Sequence, residues 1–194
     1  MILRLMVTDS ASEQTQGREE SPRKEQMTMR VFISVDMEGI AGITTNPQRE
    51  PGNTEYQWGR ELQLGEANAA IEAAFEAGAK EVVVNDSHNN MDNLYPAGLD
   101  RRARLITGNR KPLSMMQGIS SRFDAALFIG YHARRGSASA IMDHTYCGAI
   151  DEARINGTIA GETLLNGLFA GSLGVPLVLV SGDQALQKEV RALN

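Results

Sequence analysis

A single cysteine, Cys147, is all the thiol chemistry in this chain. One cysteine excludes an intramolecular disulfide framework and fits a reducing compartment, so a cytoplasmic location is expected. Cys147 is expected as a small buried hydrophobe, because free cysteine is among the most buried residue types, with a nucleophilic thiol as the alternative. No apolar run approaches the roughly 20 residues a membrane span needs. Met1-Ile2-Leu3-Arg4-Leu5-Met6-Val7 is too short and too interrupted for a signal-peptide core. No membrane partner is therefore expected. Positive charge is not in excess either: the formal net charge is -5 and the pI about 5.3, which argues against nucleic acid as a partner. The glycine-rich stretch Gly39-Ile40-Ala41-Gly42 does not match a dinucleotide fingerprint, and no internal repeat is visible.

What is present is a regular alternation of apolar runs. Residues 1–29 are polar and charged after the first few positions, and such a stretch cannot bury enough surface to offset its ordering entropy. They are expected to form a disordered extension, followed by one metal-binding catalytic domain over residues 30–194. The run Val31-Phe32-Ile33-Ser34-Val35 predicts a strand. A helix is predicted from about Glu55 to Glu76, where Ala67, Ala70, Ile71 and Ala74 make one apolar face and Ala77-Gly78 a stop. Strands follow at 81–84, 104–106 and 125–129, with a short helix at 114–119 between the last two. Asn156-Gly157 predicts a type I′ hairpin. Gly161-Glu162 opens a helix through about Leu173, and Leu177 to Val180 reads as a last buried strand before a final helical start. Strands alternating with helices predict an α/β fold, with a largely parallel sheet and flanking helices.

The three histidines all stand where a metal would want them. His88 closes Asn85-Asp86-Ser87-His88 after Val82-Val83-Val84, and His132 closes Gly130-Tyr131-His132 after Ala125 to Ile129. His144 lies in Met142-Asp143-His144. The first strand runs directly into Asp36-Met37-Glu38-Gly39, two carboxylates that share a side in extended geometry. So close a pair of like charges calls for a cation or a proton. Glu162 sits in the first turn of a helix, where the dipole favours its ionised form. Parallel strands deliver their carboxyl ends to one edge, so Asp36, Glu38, His88, His132 and Glu162 are expected to converge there as metal ligands. Five mixed ligands exceed one catalytic zinc and suit two metals with a bridging carboxylate, Asp36 being the natural bridge on the first strand. The plainer alternatives stay open at this point: a hydrogen-bonded histidine in the core, and Asn-Asp-Ser as turn chemistry.

Four motifs in register carry a resemblance. Ser34-Val35-Asp36-Met37-Glu38-Gly39-Ile40, Val84-Asn85-Asp86-Ser87-His88, Gly130-Tyr131-His132-Ala133 and Gly161-Glu162 resemble the zinc D-aminopeptidases of the bacterial dipeptide-transport operon type. Gly108 to Met115 and Val178 to Asp183 extend the match, which runs from about Arg30 to the end. The resemblance implies a dinuclear zinc site on Asp36, Glu38, His88, His132 and Glu162, with His144 as the catalytic residue. It implies short peptides with an N-terminal D-amino acid, such as D-Ala-D-Ala, as substrates, and a homo-oligomeric ring. It also implies a further C-terminal region that this chain lacks, so heterogeneous oligomers with weak peptidase activity are expected. Two zinc ions would polarise the scissile carbonyl and activate a water. His144 would shuttle the proton to the leaving amine, histidine having an unperturbed pKa near 6.5. The alternatives carried forward are a two-metal phosphoesterase and an inactive metal-binding fragment.

Overall fold

The computed structural model describes residues 28–193, so the expected N-terminal extension falls almost wholly outside the described residues. Five strands form one parallel sheet: β1 (Arg30–Val35), β2 (Glu81–Asp86), β3 (Arg104–Ile106), β4 (Ala125–Ile129) and β7 (Leu177–Val180), in the order β3-β2-β1-β4-β7. β5 (Arg154–Ile155) and β6 (Thr158–Ile159) make a separate antiparallel hairpin. Its turn residues Asn156 and Gly157 have φ of 50° and 83°, the left-handed pair that a type I′ turn demands.

Both faces of the sheet are covered, which is why its strands read as continuous apolar runs rather than alternating ones. On one face Val31, Ile33, Val35, Val82, Val84, Leu127 and Ile129 pack with Ala67, Ala70, Ile71 and Ala74 of α2 (Tyr56–Glu76). This is the apolar stripe expected from the sequence. On the other face Phe32, Val83 and Phe128 pack with Ala170 of α3 (Glu162–Ser172) and Leu186 of α4 (Gln184–Arg191). Asp183 caps α4 by accepting from the Leu186 amide at 2.8 Å. No helix among the described residues is long and apolar enough to cross a membrane.

Four details depart from the sequence reading. The short helix expected over 114–119 is a single 3₁₀ turn, Ser114–Met116, and Gly118 at φ 96° redirects the chain just beyond it. A four-residue helix, α1 (Asn46–Arg49), occupies what reads as loop. β7 is an edge strand with one partner, so its centre is open rather than buried: Val178 is 58% and Leu179 41% exposed. Cys147, expected inside, is exposed, because it lies on the loop between β4 and β5 rather than on a packed strand or helix.

Strand order reverses at β1. The chain builds outward to β2 and β3 on one side and to β4 and β7 on the other, so the crevice at the carboxyl ends of β1 and β4 is a topological switch point. The sheet puts its candidate ligands there.

Candidate metal centre

Close backbone approaches bring the strand ends together. Gly39 donates its amide to Gly130 O at 2.8 Å, and a Cβ at Gly39 would lie only 1.8 Å from Tyr131 O. Gly130 is in turn at φ 68°, with space for a Cβ blocked by Asp36 O at 2.7 Å. The loops after β1 and β4 therefore touch backbone to backbone, which no side chain would allow. Beneath them a buried hydroxyl network holds the floor. Ser34 Oγ lies 2.6 Å from Ser87 Oγ and 2.7 Å from Tyr131 OH, and donates to Met115 O at 2.8 Å.

All five expected ligands meet above this floor, and each is buried. His88 Nδ1 is 2.9 Å from Glu38 Oε2 and 3.4 Å from Asp36 Oδ1. His132 Nε2 is 3.5 Å from Asp36 Oδ2 and 3.4 Å from Glu162 Oε1. Two groups of three, Asp36–Glu38–His88 and Asp36–His132–Glu162, each gather their ligand atoms within 4.8 Å of one another and share Asp36. A third, Glu38–His132–His144, places His144 within the same reach. His144 is half-buried and stacks on His132, ring centroids 3.9 Å apart at 11°. Its Nε2 is 3.7 Å from Glu38 Oε1 and 3.8 Å from Glu162 Oε1.

The three histidines share one device. One ring nitrogen faces a backbone carbonyl and the other faces the carboxylates: His88 Nε2 lies 2.9 Å from Arg49 O, His132 Nδ1 3.0 Å from Ala133 O, and His144 Nδ1 3.1 Å from Met142 O. A carbonyl only accepts, so the nitrogen beside it carries a proton, and the inner nitrogen is the one that can serve a metal once it gives up its own. His132 Nε2 is a buried polar atom without any hydrogen-bond partner. A buried orphan nitrogen facing two carboxylates is costly unless a proton or a cation sits between them, so the donor set fits a divalent metal.

Electrostatics agree. Burial, then the charge of Glu38, pushes the Asp36 carboxyl up to about 8. Burial works to raise Glu38 too, but the charge and hydrogen bond of His88 overcome it and hold Glu38 well below the usual range. Burial opposes the protonation of both buried histidines; Glu38 nonetheless holds His88 well above its usual value, and Glu162 raises His132 to about 10. These shifts favour the protonated forms of Asp36, His88 and His132 in the absence of a cation. Zinc uptake at neutral pH is therefore expected to release protons, and affinity to rise with pH until these groups have lost them. Calorimetry in buffers of different ionisation enthalpy reads the number directly. Uptake with no proton release would mean that zinc binds elsewhere.

Asp86, although beside His88 in sequence, is not part of the cluster. It accepts from Asn93 Nδ2 at 2.9 Å and the Leu94 amide at 2.7 Å, fixing the loop after β2. The loop carrying His144 is pinned to α3 by Tyr146, whose amide donates to Glu162 Oε1 at 2.7 Å and whose hydroxyl donates to Asn166 Oδ1 at 2.8 Å. α1 was not anticipated, yet it forms one wall. Asn46, Arg49 and Glu50 line the cleft of about 670 Å³ that the cluster opens into. Thr45-x-x-Gln48 with Pro47 is a capping-box pattern and was the available signal.

Fold and site define an α/β protein with a carboxylate–imidazole cluster, suited to divalent metal, at its topological switch point. Residues 29–194 match the family described as D-aminopeptidase, and the chain belongs to that family. It is 41% identical over 165 residues to a D-aminopeptidase of Bacillus subtilis (strain 168), the alignment covering 85% of this chain and 60% of that protein. Among solved structures it is similar to the Zn-dependent D-aminopeptidase DppA from Bacillus subtilis, a self-compartmentalizing protease, with a TM-score of 0.83 at 41% identity over 85% of this chain and 60% of that one. The chain thus spans about 60% of the length of the curated relative it matches.

Proposed function

We propose that this chain is a metallo-aminopeptidase that holds two zinc ions and hydrolyses short peptides with an N-terminal D-amino acid, D-Ala-D-Ala among them. The observation that carries the reading is the pair of ligand triads sharing Asp36, in a chain of the D-aminopeptidase family. In this reading Glu38 and His88 would hold one ion and His132 and Glu162 the other, with Asp36, common to both triads, contributing to each. Zinc bound there supplies Lewis-acid polarisation of the scissile carbonyl and a water acidic enough to attack near neutral pH. The remaining work falls to the chain itself. The carbonyls of Arg49 and Ala133 fix the orientation of His88 and His132. His144, on the cleft side of the cluster, hands a proton to the leaving amine. Ile141 and Met142 form an apolar part of the cleft wall against the substrate.

The catalytic domain is read over residues 30–194, in a cytoplasmic protein, as the lone cysteine suggests. Association into homo-oligomers is supported by Val178 and Leu179 on the open edge strand and by Leu168 on α3, all large apolar side chains left in water.

The test is elemental analysis combined with a substrate panel. The protein, purified without chelator and loaded with zinc, is expected to hold about two ions per chain. It is expected to cleave D-Ala-D-Ala in preference to L-Ala-L-Ala, with no turnover of a generic phosphoester. Turnover of the phosphoester alone moves the chain to phosphoryl chemistry. Zinc without any turnover leaves a metal-binding fragment, and no zinc under either condition sinks the reading.

A further inference from the structure

The cleft beside the cluster is walled mainly by carboxylates, imidazoles and apolar side chains, and Arg49 is the one lysine or arginine among its lining residues. Arg49 belongs to none of the motifs that mark the family. Its guanidinium is held in place before any ligand arrives. Nε and Nη2 donate to Asn46 Oδ1 at 3.1 and 2.9 Å, and Nη1 donates to Glu38 Oε1 at 3.1 Å. The helix under it is equally fixed. Gln48 Oε1 accepts from the amides of Thr44 and Thr45, and α2 packs so closely that a Cβ on Gly59 would lie 1.9 Å from Gln48 O.

Arginine has five N–H donors in a planar fork, so these three bonds leave one on each terminal nitrogen. The side chain keeps 24% of its surface, at the cleft. The half-exposed Glu50 carboxylate, 3.5 Å from Nη2, shows that this edge of the fork accepts a carboxylate. Exposed pairs of this kind contribute little, so a ligand can displace it. A fork fixed in advance also loses less entropy when it binds.

Distance sets which carboxylate fits. Only the Glu38 carboxyl group separates the fork from the inner ligand atoms: its Oε1 meets Arg49 and its Oε2 meets His88 Nδ1 at 2.9 Å. An extended chain advances about 3.3–3.6 Å per residue. With the scissile carbonyl at the cluster, a carboxylate one residue further on falls within reach of Arg49.

We propose that Arg49 is a specificity-determining residue that binds the C-terminal carboxylate of a dipeptide substrate. The assignment rests on the peptidase reading given above. Arg49 thereby selects dipeptides with a free carboxyl group over their amides.

The test compares D-Ala-D-Ala with D-Ala-D-Ala amide on the zinc-loaded chain, by calorimetric binding at low temperature and by turnover. The free acid is expected to bind about 10- to 100-fold more tightly, the usual size of a hydrogen-bonded charge contact. Arg49→Met is expected to abolish that preference, raising KM for the acid far more than for the amide, and Arg49→Lys to restore part of it. Zinc content is measured alongside. Equal binding of acid and amide to the unaltered chain overturns the proposal, as does binding of neither. An equal loss on both in Arg49→Met, with Arg49→Lys no better, also overturns it and makes Arg49 a support for Glu38 alone. Preferential binding of the acid with no turnover of either compound keeps the carboxylate clamp and removes the peptidase reading.

Discussion

Asp36→Ala is expected to empty both zinc positions, taking bound metal from about two ions per chain to well under one. The argument is one of connectivity. Asp36 Oδ1 faces His88 and Oδ2 faces His132, so one carboxylate belongs to both ligand triads. Glu38 and Glu162 each belong to only one of those two, so Glu38→Ala or Glu162→Ala is expected to spare the other ion. The fold should survive, because Asp36 joins the sheet through its backbone amide, which donates to Ile129 O at 2.8 Å. The substitution also removes a buried carboxyl whose ionised form burial and Glu38 oppose. Far-UV circular dichroism checks the fold, and elemental analysis of the variants side by side checks the bridge. Full occupancy in Asp36→Ala with loss in Glu38→Ala would move the bridge to Glu38.

The site was readable from sequence to the extent that its residues follow strong local signals. Asp36, His88 and His132 each stand just past an apolar run, and Glu162 stands at a helix start, so a parallel sheet alone suffices to gather them. The apolar stripe of α2 was equally plain, because a 21-residue helix repeats its signal over many turns. What escaped was structure set by tertiary context. α1 has a capping pattern but no apolar period, being four residues long with Gln48 buried, so the capping box was its one local signal. Leu177 to Val180 has the composition of a buried strand, and only the strand order shows it to be an edge with Val178 and Leu179 open. Cys147 departs from the usual burial of free cysteine because the loop bearing it is laid out by Tyr146, a non-glycine residue at φ 57° tied to Glu162 and Asn166. That contact joins residues 16 and 20 positions apart, beyond any local pattern.

His144→Ala is expected to leave zinc content unchanged and to lower kcat by roughly 10²- to 10⁴-fold, the usual contribution of acid/base catalysis. Three observations set the expectation. His144 remains partly open to the cleft, whereas His88 and His132 are buried. Its Nε2 stays 3.7–3.8 Å from the nearest carboxylate oxygens, against 2.9 Å for the contact of His88 with Glu38. Its Nδ1 faces the Met142 carbonyl, which fixes the tautomer that leaves Nε2 turned toward the cluster. A group so placed can exchange a proton with a bound substrate without being needed to hold the ions. The competing arrangement is the triad of Glu38, His132 and His144, in which the same nitrogen becomes a ligand. Metal content and turnover, measured on one preparation, separate the two. Zinc retained with turnover lost makes His144 the proton carrier, and zinc lost with turnover makes it a ligand. Turnover unchanged leaves its stacking on His132 a matter of packing, and the proton must then leave through another group.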